Sequence, residues 1–158
     1  KQASAILDGR VTHVPFELDV EAMNSAAQAL VGEQDFTSFR AAGCQSSTPN
    51  RNVHKVVVSA HRDFVLVDIE ANAFLQHMVR NIVGSLLVIG RGLKPVTWIR
   101  DLLELRNRCE AAMTAAPHGL YLVQVIYPAA YGLPAGAKAP PFVALDSLSS
   151  VSSCTLQE

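Results

Sequence analysis

The sequence has few cysteines, almost no net charge and no long hydrophobic run. Its three cysteines, Cys44, Cys109 and Cys154, are far apart and form no Cys-x-x-Cys pair, which argues against a disulfide framework and a cysteine-based zinc site. A formal net charge of -1 excludes the basic footprint of many nucleic-acid-binding domains, so any RNA contact must be local. Without a leader or an apolar run of about 20 residues, the chain is expected to be soluble, intracellular and free of membrane spans.

Residues 72–87 place one permanently charged side chain in an otherwise apolar helical pattern. The apolar positions at helical spacing are Phe74, Leu75, Met78, Val79, Ile82, Val83, Leu86 and Leu87. A narrow polar strip holds His77, Arg80, Asn81 and Gly84, and Gly84 is expected to leave an open patch beside Arg80. A buried guanidinium cannot lose its proton, so it needs a carboxylate, a phosphate or carbonyl groups as partners. From spacing alone, a solvated arginine remains the alternative.

The remaining periodicity predicts an α+β fold. Helices are expected at residues 20–31 with Asp19 as N-cap, 73–89, 95–105 and 106–116, and strands at residues 11–17, 52–61, 64–71 and 120–126. This order is the ferredoxin-like β-α-β-β-α-β pattern, in which one antiparallel sheet carries helices on one face. We expect one domain over residues 1–146 and a disordered serine-rich tail over residues 147–158.

Residues 74–86, Phe-Leu-Gln-His-Met-Val-Arg-Asn-Ile-Val-Gly-Ser-Leu, resemble the signature helix of the tRNA pseudouridine synthase A family. Further landmarks follow in that family's order, at residues 35–40, 44–46, 51–53, 119–123 and 127–128. The resemblance covers about residues 1–146 and corresponds to the second half of the family's catalytic core. It implies a cytoplasmic, homodimeric isomerase that converts uridine to pseudouridine at positions 38 to 40 of the tRNA anticodon arm, without a cofactor.

The resemblance also shows what is missing. The family's catalytic aspartate lies in a Gly-Arg-Thr-Asp-x-Gly-Val-His motif of the first half, and this sequence does not contain that motif. No aspartate of the chain stands in a matching context: Asp8, Asp19, Asp35, Asp63, Asp68, Asp101 and Asp146. The chain begins at Lys1 rather than at a methionine, and we expect it to be part of a longer protein and inactive without the N-terminal half.

Arg80 matches the family position at which an arginine pairs with that aspartate. The resemblance therefore implies a catalytic role for Arg80, as the group that keeps the carboxylate ionised and oriented. A bidentate guanidinium fixes a carboxylate better than an ammonium does. In the chain alone Arg80 lacks this partner, and we expect its head group to be hydrated or displaced.

Two further sets of residues are candidates for the site. Contacts to tRNA phosphates are expected from Arg40, Arg51, His54 and Lys55, although ordinary solvated charge is an alternative for Lys55. The expected lining residues of the active site are Phe36, Phe39, His77 and Asn81. For the two phenylalanines the alternative is a helical turn that fills the core, and for His77 it is a packed, hydrogen-bonding histidine. No metal site is expected, because no carboxylate or histidine cluster accompanies His77.

Two other functions compete with the isomerase. A noncatalytic RNA-binding module would use the same kind of sheet as a stacking platform, but the predicted strands at residues 52–61 and 64–71 lack the paired aromatics of such modules. A dimerisation domain would explain the hydrophobic share of 49% without any chemistry.

Overall fold

A long β-hairpin organises the fold in the computed structural model, which describes residues 5–133 and 140. Strand β2 (Asn50–His61) pairs antiparallel with β3 (Phe64–Ala71), which confirms the hairpin predicted at these positions. A short strand, β1 (Gly32–Asp35), pairs antiparallel with the other edge of β2 and gives the order β1-β2-β3. The sequence analysis missed β1, because Gly-Glu-Gln-Asp has no alternation of apolar and polar residues.

One face of the sheet carries the hydrophobic core. Val53, Val56 and Val58 of β2 are buried, and a register irregularity between Val53 and Lys55 explains why two buried valines stand three positions apart. Helices α1 (Val20–Ala27), α2 (Met78–Gly90) and α3 (Trp98–Leu105) supply most of the other buried side chains. The fold is therefore α+β and ferredoxin-like, as predicted, with three strands among the described residues.

Helix α1 begins where its capping residue predicts. The Asp19 carboxylate accepts a hydrogen bond from the backbone N–H of Ala22 at 2.9 Å, which satisfies one of the open donors of the first turn. The helix is shorter than the predicted 20–31 and continues as a 3-10 turn, Gln28–Leu30. It ends before Gly32, whose φ of +97° lies in the region that favours glycine.

Helix α2 begins five residues later than the predicted position 73. His77 has a φ of +59°, and this left-handed conformation cannot belong to a continuous right-handed helix. The backbone groups of Gln76 are bonded instead to residues 41–44, since the Gln76 carbonyl accepts from Ala41 N–H and the Gln76 N–H donates to the Cys44 sulfur. Long-range contacts have thus overridden the helical pattern of residues 73–77.

Three other predicted elements are absent from the described residues. Residues 11–17 and 120–126 form no strand, and the sheet among the described residues contains only β1, β2 and β3. The predicted helix 106–116 is reduced to a 3-10 turn, Arg108–Glu110, since Arg106 ends α3 in a left-handed conformation with φ +48°. The predicted tail at 147–158 lies outside the described residues.

The chain divides into two units, Lys1–Gly119 and Leu120–Glu158. The first contains the sheet, the three α-helices and every residue of the candidate site. In the described part of the second, only a 3-10 turn, Ala129–Tyr131, is regular, and the apolar side chains are exposed, with Leu122 at 78%.

Candidate functional site at the N-terminal end of helix α2

Arg80 lies in the first turn of α2 and is half-buried. Its Nε donates a hydrogen bond to the carbonyl of Ala115 at 2.8 Å, and the N–H of Ala115 donates to the carbonyl of Arg80 at 3.1 Å. The two terminal nitrogens of Arg80 have no hydrogen-bond or ion-pair partner in the described part of the chain. Both terminal nitrogens are accessible to solvent. Among the described residues, the one buried side-chain nitrogen or oxygen without a partner is Nε of Arg51, so the unpaired nitrogens of Arg80 are not buried.

Residues 111–115, which we call the strap, run along α2 beside Arg80. Gly84 makes this approach possible, since a Cβ at that position would overlap the carbonyl oxygen of Met113 and lie 3.4 Å from Ala115 N. The patch that we expected Gly84 to leave open is therefore filled by the strap. This contact could not be predicted from the sequence, because the strap has no periodicity and lies about thirty residues away in the chain.

Asn81 is the buried centre of a polar network. Its side-chain nitrogen donates to the carbonyl of Phe39 at 2.7 Å, and its side-chain oxygen accepts from the Thr114 hydroxyl at 2.7 Å and from Arg108 Nη2 at 3.1 Å. The side chain is only 1% exposed. Each of its polar atoms has a partner, as a buried amide requires. Asn81 was predicted to line the active site, and the structure places it beneath the surface.

Arg108 is a residue that the sequence analysis missed. Its Nη1 donates to the carbonyls of Ala111 and Ala112 at 3.4 and 2.9 Å, and its Nη2 donates to the Thr114 hydroxyl at 3.1 Å. The guanidinium therefore fastens the strap to Asn81. No pattern in residues 106–110 indicates such a role, because one partner, Asn81, is 27 positions away and the others belong to an irregular segment.

Residues 41–49, which we call the loop, lie beside the segment that leads into α2, since Ala41 N–H donates to the Gln76 carbonyl and Gln76 N–H donates to the Cys44 sulfur. Arg40 Nη2 donates to the carbonyls of Cys44 and Ser46 at 2.8 and 2.6 Å. Arg51 donates to the Thr48 carbonyl at 3.1 Å and to the Ser46 hydroxyl at 2.6 Å. Both arginines were predicted to bind phosphate, and in this structure they order the loop.

The other predicted site residues occupy different environments. Phe36 and Phe39 have no exposed area and pack in the core, with ring centroids 6.2 Å apart, which agrees with the alternative interpretation of this segment. His77 is exposed where α2 begins. His54 and Lys55 are exposed on β2, and His54 Nδ1 lies 3.7 Å from a carboxylate oxygen of Glu70.

The thiol of Cys44 lies close to the backbone of Ser46 and Gln76 and to the Arg40 side chain. Backbone hydrogen bonds from Ser46 and then Gln76 are the main causes that lower the pKa of its thiol, and the nearby Arg40 guanidinium lowers it further. Burial acts in the opposite direction. The loop thus places the Cys44 thiol beside the Arg40 guanidinium, in surroundings that lower the pKa of the thiol.

Within residues 5–133, no group of three or more histidine, cysteine, aspartate or glutamate side chains is arranged to hold a metal ion. In the same part of the chain, no helix has the length and apolar character that a membrane span requires.

The chemistry that this arrangement offers is the binding of an anion by one oriented guanidinium. Comparison with known proteins shows the family: residues 26–128 match the family described as tRNA pseudouridine synthase, and the chain belongs to this family. It is 61% identical over 138 residues to a tRNA pseudouridine synthase A of Shewanella amazonensis. The matched region covers 87% of this chain and 53% of the relative. A relative of the same name from Glaesserella parasuis is 56% identical over 142 residues, 90% of this chain and 54% of the relative. The chain thus spans about half the length of these curated relatives.

Proposed function

We propose that this chain is one half of the catalytic core of a tRNA-modifying isomerase that converts uridine to pseudouridine. The other half, with the catalytic aspartate, is supplied by polypeptide outside residues 1–158. The observation that carries the proposal is Arg80, whose Nε is bonded to Ala115 while both terminal nitrogens remain open to solvent. An arginine held in this way is prepared for a carboxylate that the chain itself does not provide.

The reaction breaks the bond between N1 of uracil and C1′ of the ribose and forms a bond between C5 and C1′. N1 gains a proton and C5 loses one, so the base is isomerised without a change in composition. The proposed role of Arg80 is to keep the aspartate ionised and aimed at the sugar, since an adjacent opposite charge favours the charged form of a carboxyl group. Family membership and the match to the relatives named tRNA pseudouridine synthase A support this proposal.

The proposed substrate is the tRNA anticodon arm, modified at positions 38 to 40. Exposed Lys55 and His54 on β2 are the proposed phosphate contacts of this chain, while Arg40 and Arg51 act through the loop that they order. The nearby carboxylate of Glu70 weakens the local positive potential, so these contacts are expected to add modestly to affinity.

We also propose that the active protein is a homodimer in the cytoplasm. Among the described residues beyond Gly119, Leu122, Val125 and Ile126 are 78%, 54% and 68% exposed. An apolar run of this kind is expected to be covered by further polypeptide of the synthase, either the missing half or a second subunit. Sedimentation of the complete protein distinguishes a dimer from a monomer.

The test is a reconstituted synthase, in which this chain is joined to the part of the Shewanella amazonensis relative that lies outside the match. With tRNA that carries tritium at C5 of uridine, the reconstituted synthase is expected to release label, and this chain alone is expected to release none. Carbodiimide modification and primer extension then locate the product at positions 38 to 40. Label release by this chain alone, or none by a folded reconstituted synthase, contradicts the proposal.

A noncatalytic RNA-binding module remains the competing function. The outer face of the hairpin presents Val57 opposite Asp68 and Lys55 opposite Glu70, and neither pair contains an aromatic ring on which a base could stack. Such a module would bind tRNA in the reconstituted protein without releasing label, so the same assay separates the two functions.

A further inference from the structure

We propose that Asn81, Arg108 and Thr114 form a positioning network for Arg80. The network directs the two terminal nitrogens of Arg80, rather than its Nε, toward the catalytic carboxylate. This inference rests on the proposed function, because it assigns a task to residues around the same arginine. None of the three residues is expected to touch the substrate.

The strap is fixed at every one of its residues. The carbonyls of Ala111 and Ala112 accept from Arg108, and the carbonyl of Met113 lies against Gly84. The remaining two strap residues are held by their bonds to Asn81 and to Arg80. A segment without regular secondary structure has no backbone ladder of its own, so these contacts determine its position.

The hydrogen bonds of the network can run in only one direction. The Asn81 amide donates to the Phe39 carbonyl, so its oxygen must face Thr114 and Arg108. The Thr114 hydroxyl donates its one proton to Asn81 and can therefore only accept from Arg108. Asn81 is buried and each of its polar atoms has a partner, and a satisfied buried amide of this kind rigidifies the groups that it joins.

The strap connects the network to the guanidinium of Arg80. Thr114 precedes Ala115, whose carbonyl accepts from Arg80 Nε at 2.8 Å. A carboxylate can approach a guanidinium along the Nε edge or across the two terminal nitrogens. Because Ala115 occupies Nε, the approach that remains is the one across both terminal nitrogens. The strap therefore selects the geometry of the ion pair as well as the direction of the side chain.

The test uses Thr114→Val in the reconstituted synthase, since valine keeps the shape and removes the hydroxyl. We expect kcat to fall roughly tenfold with KM for tRNA little changed, as is typical for the loss of one oriented hydrogen bond that matters in the transition state. Thr114→Ser restores the hydroxyl and is expected to restore most of kcat. The matched control is Thr37→Val, because the Thr37 hydroxyl also bonds a side-chain oxygen, that of Asp35 at 2.6 Å, outside the network.

A second readout does not depend on activity. Hydrogen exchange at the Arg80 Nε–H, followed by NMR with ¹⁵N-labelled arginine, is expected to speed up by roughly tenfold in Thr114→Val, because the strap carbonyl loses its fixed position. Should Thr114→Val fail to fold, Arg108→Lys serves instead, since an ammonium cannot reach the strap carbonyls and Asn81 together.

The outcomes separate the two proposals. Unchanged kcat and unchanged Nε–H exchange in folded Thr114→Val overturn the positioning network. A reconstituted synthase that releases no label overturns the proposed function, and the exchange measurement then still decides whether the network holds Arg80. A fall in kcat that Thr37→Val reproduces also counts against the network, because it reveals a general structural effect.

Discussion

The loop and the strap are both irregular segments held by arginines, but their arginines are used differently. In the loop, terminal nitrogens of Arg40 and Arg51 donate to carbonyls of the loop itself. In the strap, Arg108 does the same work, and Arg80 contributes only its Nε, so that its terminal nitrogens remain open. An arginine whose terminal nitrogens bind backbone carbonyls therefore serves the fold, whereas an arginine fixed through Nε alone is available to a ligand.

The largest effect is expected for Arg80→Lys in the reconstituted synthase, because Arg80 is the arginine with open terminal nitrogens. Lysine keeps the charge but cannot bond the Ala115 carbonyl and both oxygens of a carboxylate together. We expect kcat to fall by about 10²-fold or more, because a misplaced catalytic group costs on that order. The measurement is the rate of tritium release under saturating tRNA.

Arg51→Lys is the matched control for Arg80→Lys, because its guanidinium also bonds carbonyls but belongs to the loop. It is expected to leave kcat within a few-fold of the unsubstituted protein. Full activity of Arg80→Lys would show that the open terminal nitrogens have no catalytic partner.

Gly84→Ala is expected to have the next largest effect, because the added methyl meets the Met113 carbonyl of the strap. A rigid backbone group cannot move aside as a flexible side chain can, so we expect a loss of roughly 1–3 kcal/mol in the free energy of unfolding. Helix propensity alone predicts the opposite sign, a gain of about 1 kcal/mol. Urea unfolding of the reconstituted synthase decides between the two.

Gly43→Ala is the control for this substitution. A Cβ at Gly43, in the loop, would meet only the Gln76 side chain at 3.9 Å, and its φ is not in the left-handed region. It is expected to change stability by less than about 0.5 kcal/mol. If Gly84→Ala is as stable as Gly43→Ala, the strap does not press on α2.

The contrast between the two segments also explains what the sequence predicted. The hairpin β2 and β3 has an alternating pattern, and α1 has a capping residue, so both were predicted close to their observed positions. These signals are local and repeat along the chain. The strap has neither property, because it is irregular and the contacts that place it against α2, those with Arg80, Asn81 and Gly84, join residues about thirty positions apart.

The candidate site was predictable only in part for the same reason. Arg80 and Asn81 stand out as polar residues in an apolar helix, and the family resemblance assigns a role to Arg80. Arg108 and Thr114 carry no such mark, since their significance lies in bonds to Asn81 across 27 and 33 positions of the chain. The start of α2 was predicted too early because the loop claims the backbone of Gln76.

A smaller effect distinguishes structural arginines from phosphate contacts. Replacing exposed Lys55 by Gln is expected to reduce the slope of log affinity for tRNA against log salt by about one, as the loss of one phosphate contact does. Arg51→Gln is expected to leave this slope unchanged and to lower the free energy of unfolding by about 1 kcal/mol, because its hydrogen bonds hold the loop.

The control for both is Arg100→Gln, at an exposed position of α3, which is expected to alter neither quantity. Fluorescence titration of the reconstituted synthase at several salt concentrations gives the slopes. A reduced slope in Arg51→Gln would return Arg51 to the set of phosphate contacts.

The smallest expected effect is at Cys44, whose thiol reports on the order of the loop. Hydrogen bonds from the backbone of Ser46 and Gln76, and then the charge of Arg40, lower the pKa of this thiol. The thiolate therefore stabilises the folded state above the unfolded thiol's pKa, and this contribution is lost as the pH falls through the lowered folded value. In a variant with the other two cysteines replaced by serine, the pH midpoint of alkylation by iodoacetamide is expected to lie lower in the folded protein than in urea. Arg40→Gln should raise the folded midpoint only part of the way, because both backbone donors remain, and equal folded and unfolded midpoints would show that the loop is not ordered around Cys44.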